Sequence, residues 1–293
     1  MTGPPAPETF LSGESGTRTG VRVTLRRTFS DRAISVLQWV LGTGRDLERL
    51  AAAEPPRRVL VLSSYRRGAS LRRAVQELSS ERHTVTLALG AVGESDPALR
   101  DSTVTARLSG GKFENLNRIL DEVQPADEFD WTLVVDDDVV LPARFLDRFV
   151  ALCGRLGLDL AQPAQTRRSH AAWRVTHRRA ASVARETRFV EIGPVTAFGR
   201  KPAAELLPFP RLCFGWGLDL HWAALAGERN WRLGVVDALP VGHEATPVAS
   251  AYDRAAAIDE GQRFLARRPY LPAPAAQETL VTHRRVPPPR PTS

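Results

Sequence analysis

The sequence predicts an α/β domain with a mostly parallel sheet flanked by helices and preceded by a helical extension. Short apolar segments rich in β-branched residues, such as Val59–Leu62 and Trp131–Asp136, alternate with segments whose apolar residues recur at helical spacing. Strands that are apolar at nearly every position are typical of parallel sheets covered by helices on both faces. Ligands bind such sheets beyond the carboxyl ends of the strands, so polar residues that follow a strand are the first candidates for a functional site.

The composition is that of an ordinary folded domain, and it narrows the choice of partners. The chain has 293 residues, of which 43% are hydrophobic and 25% charged, enough for one large or two modest domains. Its net charge of +7 comes from arginine, since Lys112 and Lys201 are the only lysines. A coding bias towards arginine is the favoured cause, with nucleic acid or an anionic substrate as alternatives. Because no basic block is interleaved with aromatic residues, we expect no nucleic-acid partner.

The cysteines and the first residues predict the compartment. Cys153 and Cys213 lie in apolar surroundings and outside any metal-ligand spacing. This excludes a disulfide framework and favours a reducing compartment. The segment Met1–Glu8 lacks the features of a signal peptide, and no apolar run approaches the roughly 18 residues of a membrane span. We therefore expect a cytoplasmic protein without a transmembrane segment.

Three regions are predicted: an N-terminal extension over 1–56, a main domain over 57–265 and a proline-rich tail over 266–293. The first 29 residues are rich in Pro, Gly, Ser and Thr and are predicted to be loosely ordered. Ser30 is a plausible N-cap for a helix that ends near Leu41, and a second helix follows over Asp46–Ala53. We expect these helices to pack on the main domain as an added layer. Contact with a membrane surface is the less favoured alternative, because the polar face lacks a strong basic cluster.

The main domain alternates strands with helices, and Gly90–Asp101 is predicted to be a loop. The predicted strands are Val59–Leu62, Thr84–Leu89, Thr103–Leu108, Trp131–Asp136, Phe189–Ile192 and Leu233–Asp237. The predicted helices span residues 69–78, 113–123, 142–156 and 218–225.

Three carboxylates, Asp136, Asp137 and Asp138, follow the most apolar of these strands. Adjacent anions repel one another, so the fold must supply a counter-charge or keep them solvated. A hard divalent cation is one such counter-charge, because Mg²⁺ and Mn²⁺ favour carboxylate oxygens and retain positions for water or phosphate. The alternative is a solvated acidic turn. Upstream, Gly110 and Gly111 lead into Lys112 at a helix start, which is a natural place for an anion such as phosphate or else an ordinary loop.

Several motifs in chain order resemble those of GT-A-fold glycosyltransferases. A Gly-Lys-…-Leu-Asn segment, a helix and an apolar strand ending in Asp-x-Asp resemble the nucleotide-binding half. Three later segments resemble, in turn, the strand and turn beside the acceptor site, the Gly-Trp-Gly element of galactosyltransferase-like enzymes, and a closing strand with its metal-binding histidine: Gly193–Arg200, Phe214–Leu220, and Gly234–Asp237 with His243. With Phe189–Ile192, these motifs are most similar to the uncharacterised domain of unknown function family numbered 707, over roughly residues 57 to 255.

The resemblance implies a donor site. Asp136 and Asp137 would face the ribose or the diphosphate of a nucleotide-sugar, and Lys112 and Asn117 would contact the nucleotide. Tyr65, after the first strand, would stack on the base. Taken alone, the last three have plainer interpretations: a surface lysine, a helix-interior asparagine and a packed loop aromatic.

The resemblance also implies a metal site and an acceptor site. Asp138 and His243 would bind a divalent cation, Mn²⁺ or Mg²⁺, although an isolated histidine after a strand is also a common structural hydrogen-bonding residue. Trp216 would shape the acceptor pocket, or it belongs to the core. Glu191 is a second acceptor-site candidate and the next carboxylate to consider for the chemistry.

Asp219 is the candidate catalytic base, and here the sequence departs from the family pattern. The glutamate that usually precedes this aspartate is replaced by Leu218, and the segment is one residue shorter. The helix dipole favours the ionised form of a carboxylate in the first turn and lowers its basicity, whereas burial against Trp216 acts in the opposite direction.

These observations predict a metal-dependent glycosyltransferase that moves a sugar from a nucleotide-sugar donor to a small-molecule or glycan acceptor. Two alternatives stay open: a nucleotide-sugar-binding or glycan-binding domain without turnover, favoured by Leu218, and a sugar nucleotidyltransferase, which also uses carboxylates and a metal. The arginine-rich segment 167–188 is either a lid over the diphosphate, a contact for an anionic acceptor or a solvated helix face.

Overall fold

One nine-stranded sheet dominates the computed structural model, which describes residues 4–12, 21–68, 70–169, 171–243 and 253–289. The strands are β1 (Arg58–Arg66), β2 (Thr84–Val92), β3 (Thr103–Leu108), β4 (Trp131–Val135), β5 (Leu160–Gln165), β6 (Ala184–Thr187), β7 (Val195–Gly199), β8 (Leu233–Val241) and β9 (Thr279–His283).

The order of the strands is β3-β2-β1-β4-β7-β5-β8-β6-β9. From β3 to β4 all neighbours are parallel. β7 lies antiparallel between β4 and β5, and β6 lies antiparallel between β8 and β9, while β5 and β8 are parallel. All strands except β6 and β7 therefore run in one direction, which confirms the predicted mostly parallel sheet.

Helices cover both faces of this sheet, as the uniformly apolar strands predict. The helices are α1 (Val21–Val40), α2 (Thr43–Ala53), α3 (Leu71–Leu78), α4 (Lys112–Leu120), α5 (Phe145–Leu156), α6 (Arg200–Leu206), α7 (Leu218–Arg229), α8 (Arg254–Leu265) and α9 (Ala273–Ala276). β1 serves both layers because its side chains alternate. Val59 and Val61 join the core under α2, α3 and α5, whereas Leu60 and Leu62 join the core under α4, α6, α7 and α8.

The first helix is longer than predicted, and one predicted strand is wrong. α1 begins at Val21, so Ser30 lies within the helix and is not its N-cap. Phe189–Ile192 is an irregular connection between β6 and β7. Phe189 and Val190 are buried like residues of a strand, but the Glu191 amide donates to the side chain of Gln162 instead of to a neighbouring strand. Among the described residues, no helix has both the length and the hydropathy needed to cross a bilayer.

The predicted tail contributes to the fold. α9 packs through Ala273 and Ala276, and β9 pairs with β6 at the edge of the sheet. The main domain therefore extends beyond residue 265 to at least His283. Proline-rich composition conceals this strand, because the prolines flank Thr279–His283 and do not interrupt it.

The arginine-rich segment is anchored inside the protein, so the prediction of a solvated helix face is wrong. Arg185 lies in β6 with its side chain fully buried, and its Nε donates to Asp237 Oδ2 at 2.8 Å. Its other nitrogens donate to Asp237 Oδ1 and to the carbonyls of Val175 and His177. This buried pair holds the segment 175–177 against β8.

We expect Asp237→Ala to lower the free energy of unfolding by about 3–5 kcal/mol, because it leaves the Arg185 guanidinium buried without its counter-ion. The matched control is Glu205→Ala, which removes the partner of Arg229 from a pair whose side chains are 36% and 44% exposed. That loss should stay below about 1 kcal/mol. Chemical denaturation measures both, and equal losses would contradict the structural role of Asp237.

Candidate active site

The three aspartates follow β4, whose residues are all buried, and form a turn at the carboxyl end of the strand. The end of β8 lies beside this turn. Val140 and Gly242 exchange two backbone hydrogen bonds, each of 2.9 Å, which brings His243 next to the aspartates. Two segments that are distant in the sequence therefore meet where α/β sheets bind ligands.

Asp138 and His243 form the first contact of the site. Nε2 of His243 lies 3.0 Å from Oδ1 of Asp138. Burial opposes the charged form of both groups, but their hydrogen bond and mutual attraction prevail. The pKa of His243 is consequently raised and that of Asp138 lowered. The buried hydroxyl of Ser169 accepts the His243 amide at 2.9 Å and so fixes the backbone of the histidine.

Asp136 and Lys112 form the second contact. Lys112 Nζ lies 2.6 Å from Asp136 Oδ1 and donates to the Ile192 carbonyl at 3.0 Å. Gly193 passes so close to this pair that a Cβ there would lie 2.8 Å from Asp136 Oδ2 and 3.2 Å from Lys112 Nζ. Both side chains remain about one quarter exposed, so the pair is accessible to solvent.

Asp137 has a different environment from its two neighbours. Its Oδ2 accepts the Arg66 amide at 2.9 Å, and its carbonyl accepts the Ser70 hydroxyl at 3.2 Å. Burial, followed by repulsion from Asp138 and Asp136, raises its pKa, while the Arg66 amide opposes the shift. Asp137 thus ties the acidic turn to the end of β1.

Asp219 lies at the start of α7 and is 5% exposed. Its Oδ1 accepts the Leu220 amide at 2.9 Å. Burial raises the pKa of Asp219 to about 7, although the backbone amides of Leu220, Asp219 itself and Ile192 favour the charged form. Of the two opposing effects that the sequence predicts at this position, burial is the stronger.

Glu191 is a second buried carboxylate, 8% exposed, with protein donors on both oxygens. Gln165 Nε2 and Thr176 Oγ1 donate to Oε2 at 2.9 and 3.0 Å, and the Ala172 amide donates to Oε1 at 3.3 Å. Burial and the charge of Asp219 raise the pKa of Glu191 to about 8. Near neutral pH the raised pKa favours the neutral carboxyl of Glu191, whereas its three hydrogen-bond donors favour the carboxylate.

Of the remaining candidates, Trp216 and Asn117 are partly exposed, and Tyr65 is buried. The guanidinium carbon of Arg254 lies 5.9 Å from the centre of the Trp216 ring. Tyr65 is 1% exposed, and its hydroxyl pairs with Thr103 at 2.8 Å, so its ring has no free face for a base. The Asn117 amide makes two hydrogen bonds of 2.8 Å with the Phe209 backbone and joins α4 to the segment after α6.

The acidic turn offers few ligands to a metal. Among the described residues, no group of three or more His, Cys, Asp or Glu side chains is arranged to hold an ion. Asp138 and His243 do supply one oxygen and one nitrogen ligand within 3.0 Å of each other. Such a pair fits Mn²⁺ or Mg²⁺ held by few protein groups and completed by substrate phosphates and water.

The residues that support these groups were not among the candidates predicted from the sequence. Gln162, Gln165 and Thr176 surround Glu191, and Ser169 supports His243. A usable signal was the pair of glutamines within β5, an otherwise apolar strand whose residues are all buried. Buried amides need partners, and here they find one in Glu191.

Solved glycosyltransferases of the GT-A type are similar to this chain in fold. A mannosyltransferase from Pyrobaculum calidifontis in complex with GDP-Man and Mn²⁺ is 16% identical, with TM-score 0.45 over 78% of this chain and 69% of that one. Glucosyl-3-phosphoglycerate synthase from Mycobacterium tuberculosis, with Mn²⁺, UDP and glucosyl-3-phosphoglycerate, is 16% identical, with TM-score 0.45 over 73% and 81%. Residues 1–349 of S. aureus TarS, with UDP-GlcNAc, are 14% identical, with TM-score 0.43 over 67% and 61%.

No family model and no curated protein matches the chain, so the resemblance to family 707 stays a prediction. At these identities and scores, the solved structures give neither substrate nor chemistry to this protein.

Glu191→Gln tests the protonation of the buried carboxyl. A carboxyl whose pKa is raised on folding, here from 4.5 to about 8, binds its proton more tightly in the folded state. Its contribution to stability is therefore fully present below about 4.5 and is lost as the pH rises through about 8. We expect wild type to lose stability between pH 5 and pH 9, by an order of a few kcal/mol from this group.

The Glu191→Gln variant should keep only the loss that Asp219 contributes over the same interval, and it should be the more stable protein at pH 9. Chemical denaturation at the two pH values measures this. The exposed Glu205→Gln serves as control and should follow wild type. A Glu191→Gln variant with the pH dependence of wild type would contradict a protonated Glu191.

Proposed function

We propose that this protein is a metal-dependent glycosyltransferase that uses a nucleotide-sugar donor. The observation that carries the proposal is the contact between Asp138 and His243, 3.0 Å apart at the carboxyl edge of the sheet. These are the two residues to which the sequence resemblance assigns the metal. Their approach, next to a lysine–aspartate pair and a buried carboxylate, supports a site for an anionic, phosphate-containing ligand.

Charge favours binding of the nucleotide-sugar donor beside Lys112. Lys112 lies in the first turn of α4. Its partly exposed ammonium group contacts Asp136 and the Ile192 carbonyl. A diphosphate that approaches Lys112 gains a cation near the positive end of that helix. Asp136 can then accept hydrogen bonds from ribose hydroxyls through Oδ2, the oxygen that lies beside Gly193, because its side chain is about one quarter exposed.

A divalent ion bound by Asp138 and His243 would neutralise charge on the departing nucleoside diphosphate. Transfer also requires a base for the proton of the acceptor hydroxyl. Asp219, with a pKa raised to about 7, suits this role near neutral pH. Glu191 assists as a neutral neighbour, since its proton removes a second negative charge from the pocket.

Two other functions use similar residues. A nucleotidyltransferase releases pyrophosphate, whereas a glycosyltransferase releases nucleoside diphosphate, so product analysis separates them. A binding domain without turnover produces neither. The raised pKa of Asp219 favours a catalytic function, because a purely structural carboxylate gains nothing from burial that keeps it half protonated near neutral pH.

Asp138→Ala tests the metal site. Isothermal titration of UDP and GDP should show tighter binding with Mn²⁺ than with chelator in wild type. The variant should lose this difference. Its affinity for UDP or GDP in the presence of Mn²⁺ should fall at least roughly 10–100-fold, the range for changes around a metal site. Asp127→Ala, at an exposed carboxylate, is the matched control and should keep it. Wild-type affinity that chelator leaves unchanged would refute the assignment.

Asp219→Asn tests the base. The variant should fold and bind nucleoside diphosphate like wild type but lose roughly 10²–10⁴-fold in turnover, measured as nucleoside diphosphate released from a nucleotide-sugar. In wild type, kcat/KM should rise with pH through about 7, because only the ionised carboxylate accepts a proton. Near-normal turnover in a folded Asp219→Asn protein, or a pH profile unchanged by the substitution, would exclude the role.

A further inference from the structure

Helix α1 faces the rest of the protein with polar side chains. The Arg178 guanidinium donates to Ser35 Oγ at 2.8 Å, to Gln38 Oε1 at 2.6 Å and to the Asp31 carbonyl at 3.2 Å. Oδ1 of Asp31 accepts the Arg167 amide at 3.1 Å. Of the apolar α1 side chains that are described, Ile34 is the one that is buried.

The opposite side of α1 is apolar and exposed. Leu25, Phe29, Val36, Trp39 and Val40 are between 60% and 79% exposed. At 3.6 residues per turn, these five positions fall within an arc of about 100°. We call these five residues the outer face of α1.

This arrangement is the reverse of that of a surface helix, which buries its apolar stripe and exposes its polar side. Seven of the eleven large apolar side chains that are exposed in the described chain lie on α1 or directly after it, at Leu41. A contiguous exposed patch that includes a tryptophan and a phenylalanine marks a contact surface.

Positive charge surrounds the outer face. Arg26, Arg32 and Arg45 are exposed around it. Nearby acids are directed elsewhere: Asp31 bonds inward to Arg167, and Glu48 pairs with Arg144 and Arg148. A helix with aromatic residues on one side and arginines within and beside that side has the composition of helices that lie in the interface of an anionic bilayer.

We propose that the outer face of α1 docks on the surface of an anionic lipid bilayer. Phe29 and Trp39 lie at the level of the headgroups, and the arginines contact lipid phosphates. A second copy of the chain is the less suitable occupant. Arg32 lies within the apolar arc, where a two-fold contact would bury it beside an apolar partner surface, whereas at a bilayer it extends to the phosphates.

A short series of contacts connects α1 with the candidate active site. α1 contacts Arg178 and the Arg167 amide, which lie in the connection between β5 and β6. Ser169 of this connection accepts the His243 amide. The docking itself does not depend on the proposed transferase activity and can be measured without a nucleotide.

Co-sedimentation of the full chain with vesicles tests the proposal. Wild type should bind vesicles of phosphatidylcholine with phosphatidylserine, bind phosphatidylcholine alone weakly, and lose binding at high ionic strength. The double variant Phe29→Ser/Trp39→Ser and the double variant Arg26→Gln/Arg32→Gln should each lower the partition coefficient roughly tenfold or more. Val104→Ser/Leu280→Ser, which removes two exposed apolar side chains from strands β3 and β9, is the matched control and should bind like wild type.

Trp39→Phe gives a second readout. Wild type should show a blue shift of tryptophan emission on binding, and Trp39→Phe should bind with little shift, because Trp39 enters the interface. No binding to anionic vesicles, or equal losses in the control variant, would overturn the proposal. So would a wild-type dimer, measured by light scattering, that Phe29→Ser/Trp39→Ser converts to a monomer, because a second copy would then cover the face.

Discussion

The candidate site depends on the hydrogen bonds of one irregular segment, Glu191–Pro194, which leads into β7. The Glu191 amide donates to the Gln162 side chain, the Ile192 carbonyl accepts Lys112 Nζ at 3.0 Å, and the Pro194 carbonyl accepts the Asp136 amide at 2.8 Å. The segment therefore fixes the acidic turn and the lysine in relation to each other. Gly193 permits the close passage, since a side chain there would collide with the pair formed by Lys112 and Asp136.

Five carboxylates share this small region, and the protein offsets their repulsion in different ways. Asp136 has a lysine, Asp138 a histidine and Asp137 a backbone amide. Glu191 and Asp219 have no cationic side chain among their hydrogen-bond partners in the described chain, and for them burial raises the pKa to about 8 and about 7. At Glu191 and Asp219, a shift towards the protonated form thus takes the place of a cationic partner. This division separates the acidic turn, whose carboxylates have charged or amide partners, from two carboxyls that can exchange a proton near neutral pH.

Sequence patterns predict what depends on neighbours along the chain. Strands β3 and β4 and the acidic turn are local features. The structure has them where the sequence pattern indicates. The surroundings of Tyr65 and Asn117 depend on contacts with Thr103 and Phe209, which no local pattern encodes. The same limit explains Phe189–Ile192: its apolar pattern correctly indicates burial, but the buried side chain of Gln162 takes the hydrogen bond that a neighbouring strand would otherwise accept.

Helix α1 shows most clearly what periodicity leaves undetermined. A stripe of apolar residues predicts that one side of a helix leaves water, but not whether it enters the protein or another medium. Here Arg178 determines the orientation of the helix, because it is buried beneath it. Desolvation lowers the pKa of Arg178, and the charges of Asp31 and Asp237 oppose the shift. The guanidinium of an arginine in that position must donate hydrogen bonds, and Ser35, Gln38 and the Asp31 carbonyl accept them. Because these acceptors occupy one side of α1, the requirement of a single buried cation turns the polar side of the helix inward and leaves Phe29 and Trp39 facing outward.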